Sequence, residues 1–259
     1  MNLGFAAAVS GPAQAQNRNE TPSIAALRAK ERQSFSDAQI LEGFFKLALG
    51  AELRFAGRSD RIRKYDRPVR VYVDNRIEAR ADRTAQVAAV VADIGSKVAH
   101  LDIAITDTPE DAQVFVTLAH DRDMMPTLRR LYGAARAKQI ARALHPQCLS
   151  SFSKDDQFRI LRSDVIVAGD TGDFTFYDCV YEELLQSLGP INDDASVPWT
   201  MFNDDVRKGF FGVYDQYILN LLYDPRIRPG MTGPQVRAIA PEVLKDVRAH
   251  IAKANGLKP

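Results

Sequence analysis

The fold is decided by the sequence YEELLQSLGPIN, which occupies residues 181–192. Glu182 and Gln186 are four residues apart, so in a helix of about 3.6 residues per turn they lie on one face. Glu183 lies beside them and closer to the apolar stripe of the same helix. The pattern predicts a helix over residues 174–188 that presents two carboxylates and an amide on one side.

A glycine and a proline mark the end of this helix. Gly189 stands where a left-handed C-cap falls, and Pro190 cannot continue the helix because it lacks a backbone N–H. The chain is therefore expected to turn sharply here. Such a turn allows Asn192 to fold back toward the face that carries Glu182 and Gln186.

The spacing resembles the zinc-binding motif of the metzincin peptidases, H-E-x-x-H-x-x-G-x-x-H. In that alignment Glu182, Gln186 and Asn192 stand at the three histidine positions. Glu183 stands at the position of the general base, and Gly189 at that of the glycine. The resemblance implies an α+β, zincin-like (metzincin-type) single domain, with a mixed β-sheet, a central helix of the active-site type and a helical C-terminal part.

Two later motifs extend the resemblance toward the C-terminus. The sequence PWTMF at residues 198–202 resembles the Met-turn of the metzincins, with Met201 as its methionine. Asp215 and the pair Leu222-Tyr223 resemble the helix that closes matrixin-type catalytic domains. By this resemblance a cleft is expected to be lined by Glu182, Glu183, Gln186, Gly189, Asn192 and Met201.

The metal ligands are the main departure from the metzincin pattern. Catalytic zinc sites use three protein ligands, mostly neutral imidazoles, and leave a fourth position for water. A Gln or Asn carbonyl is a poor, neutral donor for zinc, and without the metal nothing lowers the pKa of an attacking water toward neutrality. We therefore expect no bound metal, no cofactor and no conventional zinc peptidase activity.

Three motifs in the second half carry a closer resemblance. They are EELLQSLGPIND from Glu182, MFNDD from Met201 and LLYDPRIRPGM from Leu221. These motifs resemble the signature of an uncharacterised family, known as a domain of unknown function in exported proteins and lipoproteins, mainly of proteobacteria. The resemblance covers roughly residues 35–231 and implies export and a zincin-like fold, because the family has no assigned activity.

Strands and helices alternate in the first half of the chain, and helices dominate the second. Hydrophobic periodicity predicts strands near residues 69–73, 101–105, 114–118 and 158–167, and helices near residues 36–53, 84–99, 126–144, 215–222 and 241–254. With the helix near residues 126–144 taken as an insertion, the order strand–helix–strand–strand–strand–helix is that of the zincins. Residues 34–259 are expected to form this one domain.

The N-terminus predicts export. Residues 1–15 contain the apolar run Leu3–Val9 and then Ala13-Gln14-Ala15, which has the small-x-small form of a signal peptidase site. Residues 16–33 are polar and predict a tether. No uninterrupted apolar run approaches about 18 residues, so no transmembrane helix is expected. A periplasmic or secreted location follows as an expectation.

The chain contains two cysteines, Cys148 and Cys179. In an exported protein an even number of cysteines favours a disulfide. Two cysteines are too few to form a recognisable pattern, so two free buried thiols remain the alternative.

Charge limits the choice of partners. The 259 residues include 34 Lys and Arg and 33 Asp and Glu, a net charge of +1 that argues against a general nucleic-acid partner. Two basic groups can meet an anionic envelope polymer or lipid headgroups, with a merely solvated face as the alternative. The first group is Arg58, Arg61, Arg63, Lys64, Arg67 and Arg70, and the second is Arg129, Arg130, Arg136, Lys138 and Arg142.

Two short acidic runs follow the central motif, at residues 192–194 and 203–205. Their carboxylate and amide oxygens are ligands that Ca²⁺ accepts. The spacing is not that of an EF-hand, and turn and cap chemistry explains Asn and Asp residues equally well. The runs therefore leave both a cation site and ordinary turns open.

Two hypotheses of function follow. In the first, the protein is not a catalyst and binds a peptide or an envelope component in the former substrate cleft, extended along an edge strand. In the second, it is a hydrolase or other enzyme that uses Glu183, and perhaps Glu182, as general acid or base without His-bound zinc. A purely architectural role for these side chains, as good helix formers beside a core stripe, is the alternative to both.

Overall fold

The computed structural model describes residues 21–49, 61–143, 147–190 and 192–257. The signal peptide predicted at residues 1–15 lies outside these ranges, as does Arg58. The described elements are α1 (Pro22–Arg28), α2 (Asp37–Leu49), β1 (Val69–Asn75), α3 (Asp82–Lys97), β2 (Ile103–Ile105), β3 (Val114–Ala119), α4 (Met124–Tyr132), α5 (Ala134–Ala143), β4 (Cys148–Lys154), β5 (Ile160–Ala168), α6 (Asp173–Ser187), α7 (Val213–Tyr223) and α8 (Gly233–Asn255).

The five strands form one mixed sheet in the order β2-β1-β3-β5-β4. Strands β1, β2, β3 and β5 run parallel to one another, and β4 runs antiparallel to β5. Strand β4 therefore lies at an edge and has a single strand neighbour in the described part of the chain. The mixed sheet and the C-terminal helices confirm the coarser prediction of a fold that mixes helices and strands.

Strand β4 is the strand that the sequence did not predict. Its sequence CLSSFSK contains three serines and no β-branched residue, so its own tendency to form a strand is weak. Burial of side chains on both faces of the strand compensates for this weak tendency. Phe152 packs against the main core, whereas Leu149 belongs to a smaller core on the opposite face of the sheet.

The sheet is covered on both faces. Helices α3 and α6 pack on one face, where residues such as Val90 and Leu184 join the main core. Helices α4 and α5 cover part of the other face through Leu128 and Ile140. Helices α2, α7 and α8 pack together and extend the main core. The covered sheet agrees with parallel strands, which are rarely left open to water.

Two helix boundaries differ from the prediction. The single helix predicted at residues 126–144 is two helices, because the chain between them passes through Gly133 with φ +79°. Helix α8 begins at Gly233 rather than at Pro241, which lies inside the helix. Thr232 and Gln235 form a capping box that fixes this earlier start.

The N-terminal part of the described chain differs from the polar tether predicted at residues 16–33. Helix α1 starts after its N-cap Thr21, and its buried Ile24 joins the main core. Glu31 accepts a hydrogen bond of 2.6 Å from the backbone N–H of Val213, at the start of α7. One apolar side chain and one buried carboxylate therefore attach this segment to the domain.

The predicted disulfide is confirmed. Cys148 and Cys179 are bonded, with their Cα atoms 5.7 Å apart. The bond ties the first residue of the edge strand β4 to the middle of α6. The search for membrane spans found no helix among the described residues that has the length and the apolar character to cross a bilayer.

Candidate functional site on the acidic face of helix α6

Helix α6 is positioned at its N-terminus by an arginine that the sequence analysis did not single out. The fully buried Arg83 of α3 donates to the backbone carbonyls of Gly169 and Thr171, at 2.9 and 2.7 Å, and to Asp173 Oδ1 at 2.8 Å. Its guanidinium also lies 3.9 Å from the ring centroid of Phe176. These contacts fix the loop that leads from β5 into α6.

The C-terminus of α6 is the sharp turn that Gly189 predicts. Gly189 has φ +137°, and a Cβ atom at this position would lie 2.3 Å from the backbone oxygen of Arg63. No other residue fits there without displacing backbone. The hydroxyl of Tyr223 donates to the carbonyl of Leu188 at 2.9 Å, so α7 holds the end of the helix.

Gln186 joins the edge strand to the loop that follows α6. Its side-chain oxygen accepts a hydrogen bond from Ser150 Oγ at 3.2 Å, and its Nε2 donates to Asp193 Oδ1 at 2.9 Å. The side chain is buried. Both ends of this amide are therefore engaged within the protein.

Asn192 does not meet the face of α6 as the sequence alignment implied. Its Nδ2 donates to the backbone carbonyl of Lys46, in α2, at 2.9 Å. The next residue, Asp193, takes the place beside Gln186. The residue that bonds to Gln186 is therefore Asp193 and not Asn192. Local spacing could not show this, because it depends on the contact between Asn192 and α2.

Three carboxylates meet on this face. Glu182 of α6, Asp193 and Asp204 each contribute an oxygen, and these oxygens all lie within 4.8 Å of one another. We call these three residues the acidic cluster. Glu182 and Asp193 are partly buried, whereas Asp204 is exposed. Glu182 belongs to the central motif, and Asp193 and Asp204 belong to the two acidic runs. The three residues meet because of the path of the two loops that carry these runs.

The electrostatics of the cluster follow from this crowding. Burial, and then the negative charges of Glu183 and Asp193, raise the pKa of Glu182 well above its usual range. Carboxylates this close either share protons or hold a cation between them. An all-oxygen set suits a hard cation such as Ca²⁺ or Mg²⁺ rather than zinc. The expectation that no metal is bound stays a prediction.

Glu183, the candidate general base, is buried, with 6% of its surface exposed. Burial raises the pKa of Tyr132, and the negative charges of Asp164 and Glu183 add to this effect. The hydroxyl of Tyr132 lies 2.7 Å from Ser151 Oγ of β4. The charge of Glu183 therefore acts on a tyrosine that contacts the edge strand.

Met201 is buried in the main core. Its backbone N–H donates to both carboxylate oxygens of Asp215, each at 3.3 Å, and Thr200 Oγ1 donates to the same carboxylate at 2.5 Å. Asp215 lies in the first turn of α7 and is fully buried. This carboxylate fixes the loop that contains Met201.

A second carboxylate of α6 orders the chain beyond the cluster. Asp178 lies one turn before Glu182 and accepts hydrogen bonds from the backbone N–H groups of Lys208 and Gly209, at 2.8 and 2.9 Å. Arg207 Nε also donates to it at 2.9 Å. This role could not be predicted from the sequence, because nothing near an Asp in a helix indicates which distant loop it will bind.

Two members of the first basic group do not lie on the surface. Arg63 and Lys64 are buried. Lys64 Nζ donates to the backbone carbonyls of Leu222 and Asp224, at 2.8 and 3.1 Å, and closes the C-terminus of α7. Burial lowers the pKa of Lys64 to about 8. The partner role suggested for this group is therefore wrong for these two residues.

Comparison with known proteins gave one match. A family model described as "Protein of unknown function (DUF2927)" matches residues 37–242. Neither the curated proteins nor the solved structures contain a significant match.

Proposed function

We propose a function from the premise that this chain belongs to the DUF2927 family, whose model matches residues 37–242. The protein is an exported, zincin-like scaffold that has lost its zinc ligands and binds an extended peptide segment along the edge strand β4. The observation that carries the proposal is the attachment of this edge strand to the motif helix α6.

The order of elements supports the zincin-like scaffold. Strand β1, helix α3 and strands β2 and β3 are followed by the inserted helices α4 and α5, and then by β5 and α6. This is the zincin order given above, with one further strand, β4, before β5. The end of α6 at Gly189 and the burial of Met201 also support this interpretation.

The chemistry of the motif residues argues against zinc catalysis. Both polar atoms of the Gln186 amide are hydrogen-bonded, the oxygen to Ser150 and the nitrogen to Asp193. Asn192 donates to the carbonyl of Lys46. These groups are poor zinc donors even when free. The former catalytic face therefore serves better as one wall of a binding groove.

The edge of β4 offers a backbone surface for a peptide. The N–H of Ala168 donates to the carbonyl of Gln147, and the register continues with Leu149 opposite Ile166. Because alternate residues of an antiparallel pair bond to the partner, the N–H and C=O groups of Ser150 and Phe152 point away from β5. An added peptide strand pairs with such groups and gains affinity from main-chain hydrogen bonds.

The edge strand is held rigidly against α6. The disulfide joins Cys148 to Cys179, and the hydrogen bond between Ser150 and Gln186 lies two residues further along the strand. A strand fixed in this way loses little conformational entropy when it binds a peptide. The disulfide also supports export, since such bonds persist in oxidising compartments.

A matched pair of variants tests the proposal. Phe152→Pro and Phe152→Ala both remove the ring, but only the proline removes the outward N–H, and proline is tolerated on edge strands. Peptides are first selected on the wild-type chain from a random library of displayed peptides. We expect the proline variant to bind them about ten-fold more weakly than the alanine variant. Equal binding by the two variants, or the absence of any selected peptide, overturns the proposal.

The burial of Glu183 favours a second candidate, a hydrolase or other enzyme with this residue as general acid or base. A buried carboxyl group is suited to proton transfer near neutral pH. With a library of fluorescence-quenched peptides as substrate, turnover by the wild type that is lost in a folded Glu183→Gln variant would establish it. If the wild type shows no turnover, Glu183 has a structural role. The same conclusion follows if Glu183→Gln unfolds while Glu182→Gln keeps its structure.

A further inference from the structure

Residues 21–35, which we call the N-terminal segment, pack against residues 199–213, the stretch that leads from the Met201 loop into α7. The family model begins at residue 37, so the N-terminal segment precedes the matched part of the chain. Its helix α1 has 7 residues, and an isolated helix of this length is not stable in water. The segment is therefore ordered by its contacts with the rest of the molecule.

The surface under the N-terminal segment has a place for one apolar side chain. Ile24 is buried and belongs to the main core. It lies against Gly209, which has φ +72°, and a Cβ atom at this glycine would be 2.9 Å from Ile24 Cδ1. The missing side chain of Gly209 thus leaves the space that Ile24 fills. Leu27 of the same helix is instead 40% exposed.

The start of α7 receives its cap from the N-terminal segment. The N-cap residue of α7 is Gly212, which has no side chain to accept a hydrogen bond from the first turn. Glu31 supplies the acceptor, because its carboxylate accepts from the backbone N–H of Val213 at 2.6 Å. A negative charge is also favourable at the N-terminus of a helix. The segment therefore completes a helix end that Gly212 leaves without a cap.

Two arginines of the N-terminal segment cover aromatic rings. The guanidinium carbon of Arg28 lies 4.4 Å from the ring centroid of Phe210, and that of Arg32 lies 4.7 Å from the centroid of Trp199. Both are cation–π contacts. Together with the apolar and the acidic contacts, they give the segment four contacts at positions i, i+4, i+7 and i+8. Each contact has its own partner within residues 199–213.

The connection between α1 and α2 permits the N-terminal segment to leave this surface. Residues 29–36 contain no helix or strand, and most of their side chains are exposed. An element joined to its domain by such a connection can be replaced by a like element from another chain.

We propose that residues 199–213 form a docking surface for a peptide segment that has an apolar anchor, an arginine four residues later and a carboxylate seven residues later. The N-terminal segment occupies this surface as an exchangeable ligand within the chain, and an external segment with the same pattern competes with it. The surface includes no residue of β4, so the proposal does not depend on peptide binding at the edge strand.

The test uses the full, oxidised chain and a fluorescently labelled peptide of residues 21–35, with binding measured by fluorescence polarisation. Ile24→Asp places a charge in the apolar contact and should release the chain's own segment. Leu27→Asp changes an exposed residue of the same helix and is the control. In the wild type the peptide competes with the attached segment, whose effective concentration is of about millimolar order. We therefore expect the peptide to bind Ile24→Asp about ten-fold more tightly than it binds the wild type or Leu27→Asp.

A second pair of variants covers the case in which Ile24→Asp does not fold. R28A/E31A/R32A removes the polar contacts of the segment, whereas A26S/K30A/Q33A changes exposed residues beside them. The first triple variant should gain affinity for the peptide, and the second should bind it as the wild type does.

Three results overturn the proposal. They are no binding of the peptide to a folded Ile24→Asp or R28A/E31A/R32A chain, equal binding to these variants and to the wild type, and unfolding of both variants. Unfolding of both would make the N-terminal segment an integral part of the core. Phe152→Pro should leave binding of this peptide unchanged, which separates the docking surface from the edge strand β4.

Discussion

Helix α6 and the helix pair α4–α5 lie on opposite faces of the same sheet edge and use charge in opposite ways. On α6 the carboxylates of Asp178, Glu182 and Glu183 are buried or partly buried, and Asp178 holds a loop whereas Glu182 belongs to the acidic cluster. On α4 and α5 the charges are positive, and Arg129, Arg130 and Lys138 are exposed without a carboxylate in ion-pair distance among the described residues. Strand β4 separates the two regions.

The difference shows how burial determines what a charge does. A charge withdrawn from water must be compensated by hydrogen bonds or by a shifted pKa, so it is coupled to the stability of the fold. An exposed charge contributes little to stability and mainly affects association. Substitutions on the α6 side should therefore change stability, and those on the α4–α5 side should change binding only.

The largest expected effect comes from the disulfide that ties strand β4 to helix α6. Replacing Cys148 and Cys179 by serine should lower the free energy of unfolding by about 3–4 kcal/mol, because the unfolded chain regains the freedom of the closed loop. Chemical denaturation of the variant and of the oxidised wild type measures this. A loss well under 1 kcal/mol would mean that β4 is held by packing alone.

The next effect concerns the arginine that fixes the start of α6. Arg83→Ala should lower the free energy of unfolding by about 3 kcal/mol, because the carbonyls of Gly169 and Thr171 lose their buried donor. The matched change Arg130→Ala on α4 should remain within about 0.5 kcal/mol of the wild type. Similar losses in both variants would remove the distinction between the two regions.

A smaller effect is expected in the acidic cluster, where a substitution should raise the free energy of unfolding rather than lower it. The raised pKa of Glu182 means that the folded state binds its proton more tightly than the unfolded state. Its stabilising contribution is therefore present below the unfolded pKa and is lost as the pH rises toward the folded pKa. Glu182→Gln should be more stable than the wild type by about 1–2 kcal/mol at pH 8, with a smaller difference at pH 5.

Thermal unfolding across this pH range checks the Glu182 prediction, with the exposed Asp204→Asn as a control of smaller effect. The measurement is repeated with calcium. A rise in Tm with Ca²⁺ in the wild type that is absent in Glu182→Gln would show that the cluster holds a cation, against our expectation.

The smallest effect is expected from zinc. The amides of Gln186 and Asn192 are engaged and are poor donors, so zinc added to the protein should leave its Tm unchanged. Elemental analysis of the purified protein should find no stoichiometric transition metal. Tight, stoichiometric zinc would contradict the proposed loss of the metal site.

The sequence was enough to predict the motif helix, its end and the disulfide. The helix of the motif, its end at Gly189 and the pairing of Cys148 with Cys179 are all present. These features depend on periodicity, on the conformational demand of one turn and on the number of cysteines. The first two can be inferred from a short stretch of sequence, and the third from a count over the whole chain.

The remaining features depend on contacts between distant residues. Strand β4 has serines where β-branched residues are expected, and it forms because β5 and α6 bury it. Arg83 is a polar residue on an amphipathic helix, and nothing in its neighbourhood distinguishes it from a solvated arginine. Asp193 and Asp204 reach Glu182 only through two loops, so no spacing rule could join them.

The amide of Gln186 has a consequence for how the two ends of the site communicate. It accepts from Ser150 on the edge strand and donates to Asp193 in the acidic cluster. A peptide that displaces Ser150 would alter the hydrogen bond to Asp193, and with it the proton affinity of the neighbouring carboxylates. Such coupling is reciprocal by thermodynamic necessity, so acidification would change peptide affinity by the same factor as the peptide changes protonation.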